Sequence, residues 1–161
     1  MRCSSFAGIF VAAVLSATTA RAQGPDAQAA LWEGAIQGDT AAMAVALQQG
    51  AAIDSLDTRT NPNGRRALNW AAWYNRVSAI RFLLAHGASI EARNRTGFTA
   101  LHHAAEAGSM DAVEALLAAG ADPEAPNYLG RQPAETAISK GNVDVAAVLR
   151  ARIRRTGGNE H

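Results

Sequence analysis

The chain predicts an all-α solenoid of four stacked helix-turn-helix repeats with hairpin-like turn tips between them. Three observations carry that expectation. Leucine, alanine and glycine recur in one frame with a period of 33 residues, from Leu68 to Leu101 to Ala134 and from Gly87 to Gly120. Within a period, apolar residues fall at helical spacing on short segments, as in Met110, Val113, Leu116 and Leu117. Between periods, an asparagine stands three residues before a glycine in Asn61–Gly64, Asn94–Gly97 and Asn127–Gly130, a spacing that favours tight turns.

The elements follow in chain order. Residues 1–22 read as a secretory signal peptide rather than as part of the fold. Arg2 supplies a positive start, Phe6–Ala17 is apolar except for Gly8 and Ser16, and Ala20-Arg21-Ala22 is a small-x-small cleavage site. The apolar run falls short of the roughly 20 residues a membrane span needs, so no stable membrane insertion is expected after cleavage. The single cysteine, Cys3, precedes the run and leaves with the peptide. A cysteine-free product suits an oxidising compartment, periplasmic or extracellular, and excludes thiol catalysis, thiolate metal sites and disulfides. Of 161 residues, 48% are hydrophobic and 6% aromatic, enough for one modest domain, here 23–155. The formal charge is +1, and loss of Arg2 and Arg21 leaves 13 basic against 14 acidic side chains, which gives no footprint for nucleic acid.

The first repeat carries Leu31, Gly34, Ala35, Gly38, Ala46, Leu47, Gly50 and Ala51. It is offset by 37 residues because the connection Asp57–Gly64 holds four extra. The second carries Leu68, Ala71, Ala72, Ile80, Leu83 and Leu84. In the third, a helix over about 100–106 presents Leu101, Ala104 and Ala105, Gly108 permits a turn, and a second helix over 110–119 stops at Gly120. The fourth runs through Pro133, Ala134, Ala137, Gly141, Val145 and Leu149. Arg150, Arg152, Arg154 and Arg155 extend its last helix, and 156–161 are expected as a flexible tail.

Thr99-Ala100-Leu101-His102, with Leu-Leu then Gly-Ala closing two of the copies, resembles the ankyrin-repeat family. The end copies depart from its pattern, with Trp32 and Glu135 in the place of His102, as suits capping repeats that face water. The resemblance implies a protein-protein interaction module without enzymatic activity or cofactor, monomeric when free. It also implies that a protein partner is gripped by a concave face of turn tips and first-helix ends. Carried onto this sequence, the tips contribute Arg65, Arg95, Phe98, Tyr128 and Arg131, and the helix positions include Trp73, Tyr74, Glu106 and Lys140. Adjacent aromatics such as Trp73 and Tyr74 are costly to expose unless a partner covers them. Alternatively, the enlarged loop Thr58–Arg66 folds over Trp73. Trp70 and Trp32 are expected in the core.

Chemistry finds little foothold. His102 and His103 are neighbours that diverge by roughly 100° on a helix, which is no chelating pair. His102 occupies the family position that ties neighbouring turns, His86 a helix end, and His161 the tail. Ser109 and Ser139 lack a catalytic arrangement, the glycines form no phosphate loop, and no metal is expected. Asp39, Asp111 and Asp144 read as caps of the second helices. The chain is similar to small exported bacterial ankyrin proteins associated with peroxide defence through support of a periplasmic catalase. That implies a periplasmic adaptor in oxidative-stress defence; the alternative is a secreted effector or inhibitor that blocks an enzyme through the same face.

Overall fold

The computed structural model describes residues 26–157. The expected signal peptide, 1–22, lies outside the described residues. Eight helices follow in order: α1 (Ala27–Gln37), α2 (Thr40–Gln48), α3 (Ala67–Trp73), α4 (Val77–Ala85), α5 (Ala100–Ala107), α6 (Met110–Ala118), α7 (Pro133–Ser139) and α8 (Val143–Gly157). Consecutive helices pair within each repeat. Across repeats α1, α3, α5 and α7 stack in one layer, and α2, α4 and α6 stack in a second. Among the described residues no strand forms, and one isolated antiparallel bridge joins Asp57 to Arg65.

The core lies between the layers and is built from the recurring frame. Leu31, Leu68 and Leu101 are buried, as are Ile80, Val113, Leu116 and Leu149, and alanines at 71, 72, 104 and 105 let the first helices approach closely. Trp32 and Trp70 are buried, as expected. Gly34 serves the same end within the first repeat. A Cβ there would meet Met43 Cγ at 2.7 Å and the Asp39 carbonyl oxygen at 3.1 Å, so α1 and α2 pack as they do only without one. The last helix runs through Gly157 and so takes in the first two residues of the expected tail; 158–161 lie outside the described residues.

The helix ends show how each repeat depends on the next. Arg76 Nε donates to the Ile36 carbonyl at 2.9 Å, and Ser109 Oγ donates to the Trp73 carbonyl at 2.8 Å. Asn142 Nδ2 donates to the Ala105 and Glu106 carbonyls at 2.9 and 3.0 Å. These donors stand 33 residues apart, and each reaches carbonyls at the end of the preceding repeat's first helix. Asn75 occupies the place held by Gly38, Gly108 and Gly141 and adopts the same left-handed backbone, with φ of 57°. Its Oδ1 accepts from Ala112 N at 2.8 Å, capping α6 from the neighbouring repeat.

Of the three aspartates read as caps, Asp39 alone acts as one, accepting from Ala41 N and Ala42 N at 3.0 Å. Asp111 lies two residues beyond the cap position, which Ser109 holds, in the first turn of α6, and accepts instead from Asn75 Nδ2 at 2.9 Å. Asp144 likewise sits within the first turn of α8, where its charge meets the positive helix end.

Candidate functional site

The turn tips are built by asparagine. Asn94 Oδ1 accepts from Thr96 N, Thr96 Oγ1 and Phe98 N at 2.8–2.9 Å, while its Nδ2 donates back to the Gly64 carbonyl at 3.2 Å. Asn127 Oδ1 accepts from Leu129 N and Arg131 N at 2.9 and 3.0 Å. Successive tips are hooked together through Arg95 N to the Asn63 carbonyl at 3.0 Å and Tyr128 N to the Thr96 carbonyl at 3.2 Å. Gly97 makes the second hook feasible: its φ is 82°, and a Cβ there would lie 2.5 Å from Tyr128 N.

Below the tips lies a groove of about 420 Å³. Five of the residues singled out by sequence line it: Arg65, Arg95, Phe98, Glu106 and Tyr128. The tip polar groups Asn61, Asn63, Asn94 and Thr96 join them, together with His103 and Leu129. Tyr128 and Leu129 stand out, 67% and 78% exposed.

The other four singled-out residues lie outside this lining. Trp73 is half-buried, and the Arg65 guanidinium covers it at 4.2 Å from the ring centroid while also lying 4.6 Å from Trp70. The enlarged loop therefore does fold over Trp73. Tyr74 stacks on Trp70 at 6.0 Å and remains 43% exposed. Lys140 Nζ pairs with Glu106 Oε1 at 3.0 Å, and the exposed Arg131 contributes a carbonyl to the fold.

That carbonyl receives His102 Nε2 at 3.0 Å. A carbonyl can only accept, so Nε2 carries the proton and Nδ1 accepts from Thr99 N at 3.3 Å and from Thr99 Oγ1 at 2.9 Å. His102 thus ties the third repeat to the fourth. Burial lowers its pKa, the Arg131 carbonyl opposes that, and Arg93 adds to the lowering.

His103 is only 3% exposed, and neither ring nitrogen has a hydrogen-bond partner. Phe98 packs on it at 5.4 Å and Trp73 at 6.3 Å, while Glu106 Oε2 stays 3.8 Å from Nδ1. Burial pushes its pKa down to about 3, with the charge of Arg65 and neighbouring His102 adding to the effect, so the imidazole is neutral at physiological pH. Burial also lowers the pKa of Arg65, against the pull of Glu106.

A second polar cluster sits at the first inter-repeat connection and carries no sequence signal beyond the insertion itself. Asp57 is buried and binds Arg59 through Nε to Oδ1 and Nη2 to Oδ2, both at 2.9 Å. Trp70 Nε1 donates to Oδ2 at 3.1 Å. Burial disfavours the Asp57 carboxylate, yet the bonds from Arg59 and Trp70 outweigh it and hold the pKa below its ordinary value.

Ser109 and Ser139 spend their hydroxyls on backbone carbonyls, Trp73 and Thr136 respectively. Among the described residues no cluster of three or more histidine, cysteine or acidic side chains could hold a metal ion, and no helix is long and apolar enough to cross a membrane.

No curated protein matches this chain. The family described as ankyrin repeats (many copies) matches residues 70–117 and 101–150, overlapping stretches that together span half of the chain and contain the Thr99–His102 opening. With the 33-residue period, the paired helices and the hooked tips, that match places the chain in the ankyrin-repeat family.

Proposed function

We propose that the protein is an exported, non-enzymatic adaptor that holds a partner protein in the groove between its turn tips and first-helix ends. Ankyrin repeats generally mediate protein-protein interaction. The observation that carries the reading here is the exposure of Tyr128 and Leu129 on a groove edge beside Arg95. Aromatic, aliphatic and arginine side chains in that arrangement are the composition of an interface centre, and they remain in water until a partner covers them. Export rests on the signal-like segment 1–22. A role in oxidative-stress defence is the expectation carried over from the resemblance drawn in the sequence, and it makes a periplasmic peroxide-removing enzyme the partner to assay.

Crosslinking and affinity capture of the full chain in its own host tests this reading, with Tyr128→Ser/Leu129→Ser as the control. We expect one protein enriched by the wild type and lost in the control, with helical circular dichroism unchanged. Equal capture by both would move the interface away from the groove. Assay of the captured protein with and without the adaptor then separates support from inhibition.

A further inference from the structure

We propose that the groove reads an acidic side chain of its partner next to an apolar one: the carboxylate docks on Arg65 and Arg95, and the apolar neighbour lies against Tyr128 and Leu129. This rests on the groove being a protein-binding face and adds the chemistry of what it takes.

Charge supplies the first reason. The lining holds two arginines against one carboxylate, Glu106, and Lys140 already neutralises that carboxylate at 3.0 Å. The groove is left positive, which repels a basic segment and draws an acidic one. The state of Arg65 supplies the second. Its guanidinium is fixed against the Trp70 and Trp73 rings, and among the described residues no carboxylate approaches it within 4.0 Å. A cation already stripped of much of its water and held in one place binds a carboxylate with little further loss of solvation or side-chain freedom.

The third reason is independent of charge. Arg65 Nε and both ring nitrogens of His103 are buried without a hydrogen-bond partner, and both residues line the same groove. Buried polar groups in a finished fold are ordinarily satisfied, so these three mark the stretch of groove wall where the fold is least complete in itself. The neutral imidazole of His103 adds no charge that would compete with Arg65 for the ligand. Tyr128 and Leu129 then define where the apolar neighbour goes, since both are exposed on the rim of this groove.

The test is selection of short random peptides displayed on phage against the full chain, as wild type and as Arg65→Gln. The expected winners share an aspartate or glutamate adjacent to an apolar residue. A synthetic winner should bind the wild type about tenfold more tightly than its amide counterpart, with Glu replaced by Gln or Asp by Asn, and that gap should shrink to about threefold or less on Arg65→Gln. Circular dichroism checks the variant, and the exposed Arg95→Gln provides the same comparison should Arg65→Gln unfold. Winners without an acidic position, or an acid-amide gap unchanged in the variants, would overturn carboxylate recognition and leave protein binding standing. No enrichment on the wild type would overturn both.

Discussion

The first inter-repeat connection and the two that follow close the same turn with different chemistry. At the later two, the backbone N–H of Phe98 or Arg131 donates to an asparagine side chain, Asn94 or Asn127. At the first, Arg65 N donates to the backbone carbonyl of Asp57 at 3.0 Å, and Asp57 N donates back to the Arg65 carbonyl at 2.7 Å. The Asp57 side chain is thereby released to bind Arg59 and Trp70, and Arg59 lies 4.9 Å over the Trp32 ring. Neutral hydrogen bonds suffice where the turn is short. The longer connection brings its own anchor, an ion pair wedged among tryptophans, and lengthening itself costs little because closure entropy grows slowly with loop length.

The largest expected effect comes from removing what both kinds of connection rely on. Leu101→Ala empties a buried site in the stack and should cost about 2–5 kcal/mol in urea denaturation. Exchanging the turn side chains then separates the two chemistries. Asp57→Asn deprives Arg59 of its charged partner and should cost about 1.5–3 kcal/mol. Asn94→Asp keeps the acceptor used by Thr96 and Phe98 and should cost about 1 kcal/mol, through the lost donor to Gly64. Equal costs would erase the distinction.

Acid titration sharpens it further. Above pH 6.5 both folded and unfolded chains hold His103 neutral; below it the unfolded chain alone takes the proton, until the folded pKa of about 3 is reached. Stability should therefore fall with pH at a slope approaching about 1.4 kcal/mol per unit, shallower in His103→Phe. His102 pulls the same way, its pKa also being lowered. Asp57 acts in a separate window: its folded pKa lies below 3.8, so the stability it contributes is present above that value and is lost as pH falls beneath it. Denaturant midpoints across this range, with Asp57→Asn beside His103→Phe, check both signs.

The period, the helix pairs and the tip asparagines are legible in the sequence because each rests on local residue type: leucine and alanine for close packing, glycine and asparagine for turns. Equating Asn61 with Asn94 and Asn127 is correct for the tip, since Asn63 N donates to Asn61 Oδ1 at 2.8 Å, but it hides Asp57, which closes the base of the same loop. The repeating frame follows side chains, whereas the closure of an enlarged loop follows backbone. Five groove residues are legible as tip and helix-end positions, and cover of Trp73 by the enlarged loop is legible as one of two readings; that Arg65 supplies the cover is not, because a cation over a ring depends on where a loop lands. His103 reads as one of two neighbouring histidines; its unsatisfied burial is a property of the whole stack. Asn75 leaves a usable trace, as the one departure from glycine at its position in the frame.

The donors at Arg76, Ser109 and Asn142 all point the same way, from a later repeat to the one before. Synthesis runs the other way, making the repeat that offers the carbonyls before the one that brings the donor. A repeat leaving the ribosome lacks that donor at the end of its first helix until about one period of chain has followed, some 2–7 s at ordinary elongation rates. Order in the nascent molecule consequently trails its growing end by one repeat, and during that interval each newest unit is the segment most open to chaperones, proteases or an export channel.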